Sequence, residues 1–490
     1  MSSTSMNPKA AHSNASLRHL ASHAASAAFA LLLAACATPG PTRPATTPIS
    51  AATVGLKEGS AAPTIDERWW ESLGDARLNE LVSRALQASP TLQVAAARVA
   101  RAQAVMERAD AQRMPQVDAR LDVAHERFTG NGLYPPKFAG KVDDAGNLQS
   151  NFSWELDFFG KNRSAFEAAL GSAQAMQADQ QGARLILASN VVRLYVQLAQ
   201  FIGQRDVATR TLAQRTQVLD LIRQRVRAGL DTQVELRQGE GALPDARLAI
   251  EALDEQITLR RHALAALSVQ PPDALATLSP SIAALQRTPL PANIPADLLG
   301  RRADIDAARL RIEAATADMH SARADFYPSV NLLAFAGFNA IGLDQLLDVG
   351  SRQSGIGAAI RLPIFDAGRL RASYRGKAAD LDAAVASYNG AVVEAMHEAA
   401  DQISSLQSIE RQEAEQQQAQ SSAEEAYKLA VARYRSGLGS YLAVLSAETG
   451  VLAQRRAAVD LKSRTLVAQT ELMRALGGGY VRAPSTNLTE

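Results

Sequence analysis

Few residues in this chain have the types and spacing that catalysis or metal binding requires. Histidine occurs 7 times and cysteine once in 490 residues. Three of the histidines, His12, His19 and His23, lie near the start of the chain. His397-Glu398 falls in a segment with helical periodicity, but no second histidine completes a zinc-binding pair. The chain also lacks a Gly-x-Ser-x-Gly elbow and a phosphate-binding loop. The sequence therefore disfavours an enzyme, a metal site and a bound cofactor.

The sole cysteine, Cys36, is the residue for which the sequence predicts covalent chemistry. Residues 1–35 contain few acidic residues and end in a small-residue and leucine run, Ala24 to Ala35, which is typical of a secretory signal. Leu33-Ala34-Ala35-Cys36 resembles the bacterial lipobox, in which the cysteine becomes the acylated first residue of the mature chain. The alternative is a signal peptide with an incidental cysteine. Ala37 favours the outer membrane, because enterobacterial lipoproteins retained at the inner membrane carry aspartate there.

The remaining chain divides by composition. Residues 36–64, which begin with the cysteine, are rich in Pro, Thr and Ala and are predicted to form a flexible tether. Two repeats are expected at 65–268 and 299–478, with a proline-rich linker at 269–298 between them and a polar tail at 479–490. Lys and Arg total 51 against 50 for Asp and Glu, so the charge gives no sign of a nucleic-acid partner.

Each repeat contains a long helical hairpin that turns at a glycine. Arg225-Val226-Arg227-Ala228-Gly229-Leu230 matches Arg433-Tyr434-Arg435-Ser436-Gly437-Leu438 position by position. The preceding helices are about sixty-five residues long, or on the order of 100 Å at 1.5 Å per residue. We call residues 225–236 the first tip and residues 433–446 the second tip. The sequence predicts two antiparallel helical hairpins related by tandem duplication.

Each repeat also contains two segments in which apolar and polar residues alternate, which is the pattern of half-buried strands. The predicted strands are 116–128, 148–159, 328–340 and 353–365. Their length is that of strands that cross a membrane with a tilt. Four strands cannot close a barrel, and open edges are not tolerated in lipid. We therefore expect an oligomer, and three chains would supply twelve strands. A soluble hairpin packed on helices is the alternative.

These features together resemble the outer-membrane factor family, of which TolC and OprM are familiar members, and the NodT-type lipoprotein branch fits best. The resemblance covers about residues 65–480 and rests on the lipobox, the Trp69-Trp70 opening, the duplicated plan and Arg433 to Leu442. It implies a mainly α-helical trimer with a 12-stranded β-barrel in the outer membrane and an α-helical barrel in the periplasm. It also implies docking onto a periplasmic adaptor and an inner-membrane pump.

The resemblance further implies where such a tube closes. Family members narrow the periplasmic entrance with a leucine after the tyrosine of the second tip and with acidic residues about one turn later. Leu442 matches that leucine, whereas Ser446 occupies the acidic position and Thr449 the position of an arginine in OprM-like members. An aspartate ring is therefore unavailable at 446. Four nearby charged residues, which are alternatively solvated helix-face charges, remain as gate candidates: Glu235, Arg237, Glu240 and Glu448.

The turns themselves supply a second group of candidate site residues. Four arginines flank the two turns and are predicted to form gating pairs or adaptor contacts: Arg225, Arg227, Arg433 and Arg435. Gly229 and Gly437 are expected to end the long helices because glycine adopts the left-handed conformation without strain.

The predicted function is an outer-membrane channel of a tripartite efflux system that conducts small toxic compounds passively. A resistance–nodulation–division pump is the expected inner-membrane partner. Type I protein secretion and metal efflux remain alternatives for the cargo. A lipid-anchored coiled-coil scaffold without a pore is the alternative from another class.

Overall fold

The structure is a computed structural model, and it describes residues 45–49, 65–287 and 300–482. The predicted signal segment 1–35 and the acylation site Cys36 lie outside the described residues. The helices and strands, in chain order, are α1 (Ala76–Ala88), α2 (Pro90–Ala111), β1 (Gln116–Arg127), β2 (Val142–Leu156), α3 (Lys161–Arg227), α4 (Gln233–Leu267), α5 (Ala303–Ala324), β3 (Ser329–Ile341), β4 (Arg352–Arg361), α6 (Arg369–Arg435) and α7 (Tyr441–Ala475).

The duplication predicted from the turn motifs is visible in the lengths of the helices. Both α3 and α6 contain 67 residues, and both α4 and α7 contain 35 residues. The chain divides into two compact units, and each unit combines segments of both repeats. The sheet unit contains the described part of Met1–Thr47, together with Ala100–Gln174 and Arg309–Ser387. The helical unit contains the described parts of Pro48–Val99, Ala175–Ala308 and Tyr388–Glu490.

In the sheet unit, the four strands form one antiparallel sheet in the order β1-β2-β3-β4. Strand β2 begins at Val142, six residues before the predicted start, because its ladder with β1 continues to the pair Arg127 and Val142. The acidic residues at 143 and 144 hid this extension from the alternation pattern. Strand β2 ends at Leu156 and β4 at Arg361, both short of the predicted ends at 159 and 365. Pro363 follows β4 and has no N–H to donate to a ladder.

The sheet has one polar face and one face that is apolar except at the end near Val142, where it carries four charged or titratable residues, namely His125, Arg127, Asp144 and Arg352. Val117, Leu121 and Val123 of β1 share a face with Phe152 and Trp154 of β2 by the strand register. On β3 and β4 the same face carries Val330, Leu332, Ile356 and Ile360. The opposite face is lined largely by amides and carboxylates, among them Asp118, Gln149, Asn151, Asn331 and Gln353. Side chains on this polar face bond each other: Asn151 Nδ2 donates to Asp118 Oδ2 at 3.1 Å, and Gln353 Nε2 donates to Gln149 Oε1 at 3.0 Å.

The helical unit has a core built around the paired tryptophans at its start. Trp69 and Trp70 are each only 6% exposed and pack with the buried face of α1. Asp75 fixes the start of α1, because its carboxylate accepts hydrogen bonds from the first-turn N–H groups and from the hydroxyl of Tyr195. Helix α3 is long and apolar enough to cross a membrane by length and composition alone. Its residues Val192 and Leu198 are buried in this protein core.

Two segments predicted as connectors make specific contacts. Ala45 N donates to Asp382 Oδ1 at 2.8 Å, and Ile49 N donates to Asn389 Oδ1 at 2.8 Å, so described residues 45–49 of the predicted tether are held on α6. The backbone N–H groups of Ala45 and Ile49 find side-chain oxygens of α6 as acceptors, so this part of the predicted tether is attached to the helix. In the proline-rich linker, Leu285 is 3% exposed in the core of the helical unit.

Candidate functional site: the helical tips and the sheet faces

The two tips share one backbone turn. Gly229 and Gly437 have φ values of 72° and 78°, in the left-handed region that favours glycine. In each tip, the residue after the glycine donates its N–H to the carbonyl of the leading arginine at 2.9 Å. This is the hydrogen bond of a Schellman motif, so the duplicated motif produces the same helix ending twice.

The returning helices begin at side-chain caps. Thr232 caps α4 in a capping box, in which Glu235 accepts a hydrogen bond from Thr232 N at 2.9 Å. The hydrogen bond from the Thr232 hydroxyl, with those from the backbone, lowers the pKa of Glu235. Ser440 caps α7 by accepting a hydrogen bond from Ala443 N. The Glu235 carboxylate is therefore engaged in helix capping within the chain.

The first tip is bound to the second by a cluster of three side chains. Arg225 forms a bidentate ion pair with Asp231, with Nε to Oδ2 at 2.9 Å and Nη2 to Oδ1 at 3.1 Å. Arg225 Nη1 also donates to the backbone carbonyl of Tyr434 at 3.1 Å, and its guanidinium carbon lies 4.7 Å from the centroid of the Tyr434 ring. The Tyr434 hydroxyl donates to Asp231 Oδ2. We call these three residues the tip cluster.

The tip cluster holds its members in definite ionisation states. Burial alone would raise the pKa of Asp231, but hydrogen bonds from Arg225 and Tyr434 outweigh burial and lower that pKa below its ordinary value. The hydrogen bond to Asp231 raises the pKa of Arg225. Burial, and then the hydrogen bond to Asp231, raises the pKa of Tyr434. At neutral pH the cluster is a charged pair with a protonated phenol.

An aromatic core lies behind the tip cluster. Tyr434 is 1% exposed and its ring centroid is 6.0 Å from that of Tyr441. Tyr427 and Ile222 complete this core with the apolar face of α7. Burial raises the pKa of both Tyr427 and Tyr441, and the negative charge of Glu448 raises each further. The two hairpins of one chain are therefore joined by packing as well as by the hydrogen bonds of Arg225 and Asp231 with Tyr434.

Glu448, which was predicted as a gate residue with a solvated helix-face charge as the alternative, lies in a buried ion pair. Its side chain is 8% exposed and accepts a hydrogen bond from Arg215 Nε at 3.0 Å. Arg215 also donates from Nη1 to the carbonyl of Ala242 at 2.9 Å. Glu448 thus joins the second hairpin to the first inside one chain.

The other predicted gate residues lie on the surface of the chain. Leu442 is 69% exposed, and Ser446 is also exposed. The Thr449 hydroxyl donates to the carbonyl of Leu445 one turn earlier in its own helix, at 2.9 Å. Arg237 and Glu240 form an ion pair with each other at 2.8 Å across one helical turn. Such an exposed pair contributes little stability.

The four predicted turn arginines divide into two groups. Arg225 is 12% exposed and belongs to the tip cluster. Arg227 and Arg433 are exposed, and among the described residues their side chains donate to nearby backbone carbonyls, those of Arg223 at 3.3 Å and Leu438 at 3.2 Å. Arg435 is also exposed.

Sequence reasoning missed Asp231 and Arg215. Asp231 occupies the same position after its turn glycine that Gly439 occupies in the second tip. A comparison of the two repeats beyond the shared motif could have revealed this difference. Arg215 lies within a helix rich in charged residues, and the pattern carries no signal for its partner.

Comparisons with known proteins agree with this architecture. The family model described as outer membrane efflux protein matches residues 81–268 and 294–478. The chain belongs to the outer membrane efflux protein family. This confirms the predicted resemblance and the predicted class, an outer-membrane efflux channel with a mostly helical fold and an antiparallel sheet.

Individual relatives extend over most of the chain. The multidrug resistance outer membrane protein MdtQ of Escherichia coli O157:H7 is 31% identical over 467 residues, which cover 92% of this chain and 97% of MdtQ. The pyoverdine export outer membrane protein OpmQ of Pseudomonas putida is 30% identical over 456 residues, with 92% and 96% coverage. The crystal structure of the outer membrane protein VceC of Vibrio cholerae matches with a TM-score of 0.80 and 36% identity, covering 84% of this chain and 99% of that one. The family consists of channel proteins rather than enzymes.

Proposed function

We propose that three copies of this chain form a passive outer-membrane channel that completes a tripartite efflux system. The four-stranded sheet, with its apolar face, polar face and two edges, is the observation that carries the proposal. In a barrel formed by three such sheets, the apolar faces contact lipid and the polar faces line the lumen. The edges of β1 and β4 pair with those of neighbouring copies, because lipid does not tolerate unpaired backbone groups.

The anchor and the helices extend this proposal. A lipid on Cys36 attaches the chain to the outer membrane, and the contacts of residues 45–49 with α6 limit the reach of the tether. The helices that follow the strands form a periplasmic tube. Its tips contact a periplasmic adaptor, which links the channel to a resistance–nodulation–division pump that supplies the energy.

The tips act as the gate of this tube. The tip cluster and the Glu448–Arg215 pair hold the two hairpins of one copy together, so the hairpins move as one body. Leu442, which is exposed on each copy, narrows the entrance when three copies meet. The exposed arginines at 227, 433 and 435 are available to neighbouring copies or to the adaptor.

We further propose that the cargo consists of small toxic organic compounds. MdtQ is named for multidrug resistance, and OpmQ for export of pyoverdine, a small molecule. Because the pump selects the cargo in this scheme, the channel has to accept several chemical types.

The sheet proposal is tested by placing one charge on each face. Leu121→Arg puts a cation at the middle of β1 on the apolar face, where a lipid contact costs about 2–4 kcal/mol. Ala124→Arg puts the same charge on the polar face of the same strand, opposite Ala145 and between Asp122 and Glu126, where it contacts water in the lumen. We expect Leu121→Arg to lower the amount of trimer in outer-membrane fractions, and Ala124→Arg to leave it unchanged. Equal amounts for both variants would contradict a lipid-facing apolar surface.

The efflux proposal is tested in a deletion strain grown with dyes, detergents, antibiotics and metal salts. Sensitivity to several unrelated organic compounds, reversed by the restored gene, is the expected result. Loss of a protein from the culture supernatant with an unchanged panel would point to type I secretion. Sensitivity confined to metal salts would point to metal efflux.

A further inference from the structure

One row of residues on the polar face of the sheet places a carboxylate, an amide and an aromatic ring side by side, followed by a glycine. The register pairs Asp118 with Asn151, Asn151 with Phe335, and Phe335 with Gly355, so these four residues cross β1, β2, β3 and β4 side by side. Residues in register across neighbouring strands point to the same face. The row therefore presents a carboxylate, an amide, an aromatic ring and a bare backbone in that order.

Phe335 is the aromatic residue that the four strands place on the polar face, which also carries Leu333 and Ile341 among mostly polar and small residues. Its side chain is 39% exposed, and its ring occupies the space beside Gly355. A Cβ at position 355 would come within 2.6 Å of Phe335 Cε1, so glycine is what allows the ring to lie there. Part of the ring is therefore accessible to solvent near the middle of β3.

The polar side of the row is held in place by hydrogen bonds. Asn151 donates to Asp118 Oδ2 at 3.1 Å and accepts from Gln149. Within the described residues, no other hydrogen bond engages the Asp118 carboxylate; Arg120 on the same face interacts with it electrostatically but is hydrogen-bonded to Asp122. Since neighbouring strands lie about 4.8 Å apart, Asp118 and Phe335 are separated by about 10 Å, which one drug-sized molecule spans.

The charge of the whole polar face favours cations. It carries five acidic residues and two basic ones, namely Asp118, Asp122, Glu126, Asp143 and Glu155 against Arg120 and Arg361. An exposed aromatic face attracts a cation through its quadrupole, and the nearby carboxylate adds direct attraction.

We propose that this row is a luminal binding subsite for aromatic organic cations, with Phe335 as the stacking residue and Asp118 as the counter-charge. The subsite rests on the proposed function, because it requires the polar face to line the lumen of the trimer. Three copies repeat the row around the lumen. Cargo that combines a positive charge with an aromatic group is retained there on its way through the barrel.

The experiment compares two permeant-sized cations as blockers of the purified full-length trimer in planar bilayers, added on the extracellular side. Tetraphenylphosphonium carries aromatic rings, and tetrabutylammonium carries the same charge without them. Phe335→Leu keeps an apolar side chain beside Gly355 but removes the ring. We expect it to raise the half-blocking concentration of tetraphenylphosphonium about tenfold, the ratio that corresponds to about 1.4 kcal/mol, and to weaken tetrabutylammonium block by a smaller factor, because that cation is attracted by the ring quadrupole but cannot stack on the ring.

Two further variants separate the subsite from general effects on the lumen. Asp118→Asn removes the charge and is expected to weaken block by both cations. Leu333→Ala changes an apolar residue on the same face in a neighbouring row, which pairs with Ser153 and Gly357, and is expected to change neither. Equal block of the wild type and Phe335→Leu by tetraphenylphosphonium would overturn the subsite. A wild-type trimer that forms no conducting channel would overturn the proposed function and the subsite with it.

Discussion

The two tips have the same turn but opposite surroundings. Arg225 of the first tip is 12% exposed and bound by Asp231, whereas its counterpart Arg433 is exposed and donates to a carbonyl of its own turn. Two substitutions between the repeats account for this. The first tip has Asp231 where the second has Gly439, and the second has Tyr434 where the first has Val226.

The comparison shows how duplicated hairpins became complementary. Both repeats contain the glycine turn, which ends the long helix in each. The carboxylate of Asp231 comes from the first repeat and the phenol of Tyr434 from the second, and neither tip contains both residues. The tip cluster can therefore form only between the two repeats of one chain, and it binds one hairpin to the other.

The largest expected difference concerns a second pair of matching positions. Glu240 and Glu448 lie the same number of residues after their turn glycines. Glu448→Ala leaves Arg215 largely buried without its carboxylate, and we expect a loss of about 4 kcal/mol in local stability, measured by hydrogen exchange in α7. Glu240→Ala, the control, breaks an exposed pair with Arg237 and should cost no more than about 0.5 kcal/mol. Similar losses for both variants would contradict the different roles of the two glutamates.

Asp231→Ala is the next most damaging change. It leaves Arg225 buried without its partner and Tyr434 without its acceptor, and we expect a loss of about 3 kcal/mol in tip stability. Asp220→Ala is the control, because it breaks only an exposed pair with Arg223. Hydrogen exchange of the residues in both tips measures the effect, and protection that stays at the wild-type level in Asp231→Ala would refute the tip cluster.

The same residue gives the tips a defined response to acid. Since the pKa of Asp231 in the folded protein lies below its ordinary value, its contribution is complete above about pH 3.9 and is lost as the pH falls through the folded pKa. Tip protection should therefore decline in that range in the wild type. In Asp231→Ala this part of the decline should be absent.

The shared turn predicts equal effects of equal substitutions. Gly229→Ala and Gly437→Ala each force a side chain into the left-handed region, at a cost of about 1–2 kcal/mol. A Cβ at either glycine meets no close neighbour, so the strain of the backbone decides the result. Thermal unfolding of the two variants should give the same shift. A clearly larger shift for one of them would show that the turns are not equivalent.

The smallest expected effect comes from Tyr434→Phe. The ring stays under Arg225, but the hydrogen bond to Asp231 is lost, which corresponds to about 1 kcal/mol. Tyr441→Phe is the control, because it keeps the ring of another buried tyrosine in the same aromatic core. A loss in Tyr434→Phe as large as that of Asp231→Ala would show that the phenol, rather than the ion pair within the first tip, provides the stability of the tip cluster.

Most of the fold could be predicted from the sequence because it depends on local patterns. The glycine turns, the long helices and the four alternating segments each have a signature within a few residues. Strand ends were less certain, since the ladder of β2 continues through acidic residues that the alternation pattern excludes. The partners of Arg225 and Glu448 could not be predicted in the same way. Asp231 lies only six residues after Arg225, but the contacts of Arg225 with Tyr434 and of Glu448 with Arg215 depend on how helices far apart in the chain pack together.

The most direct test of a barrel closed by three chains is a disulfide between β1 of one copy and β4 of the next. Cysteine replaces Ala119 in β1 and, in separate variants, Ile356, Ala358 or Ile360 in β4, all on the apolar face. Within one chain β1 and β4 are three strand spacings apart, about 14 Å, which no disulfide spans. The control variants carry Asp118→Cys, on the polar face, in place of Ala119→Cys, with the same three cysteine positions in β4. We expect oxidation in outer membranes to produce a disulfide-linked trimer for at least one of the cysteine pairs on the apolar face. Monomer alone for every pair would contradict a barrel closed by neighbouring copies.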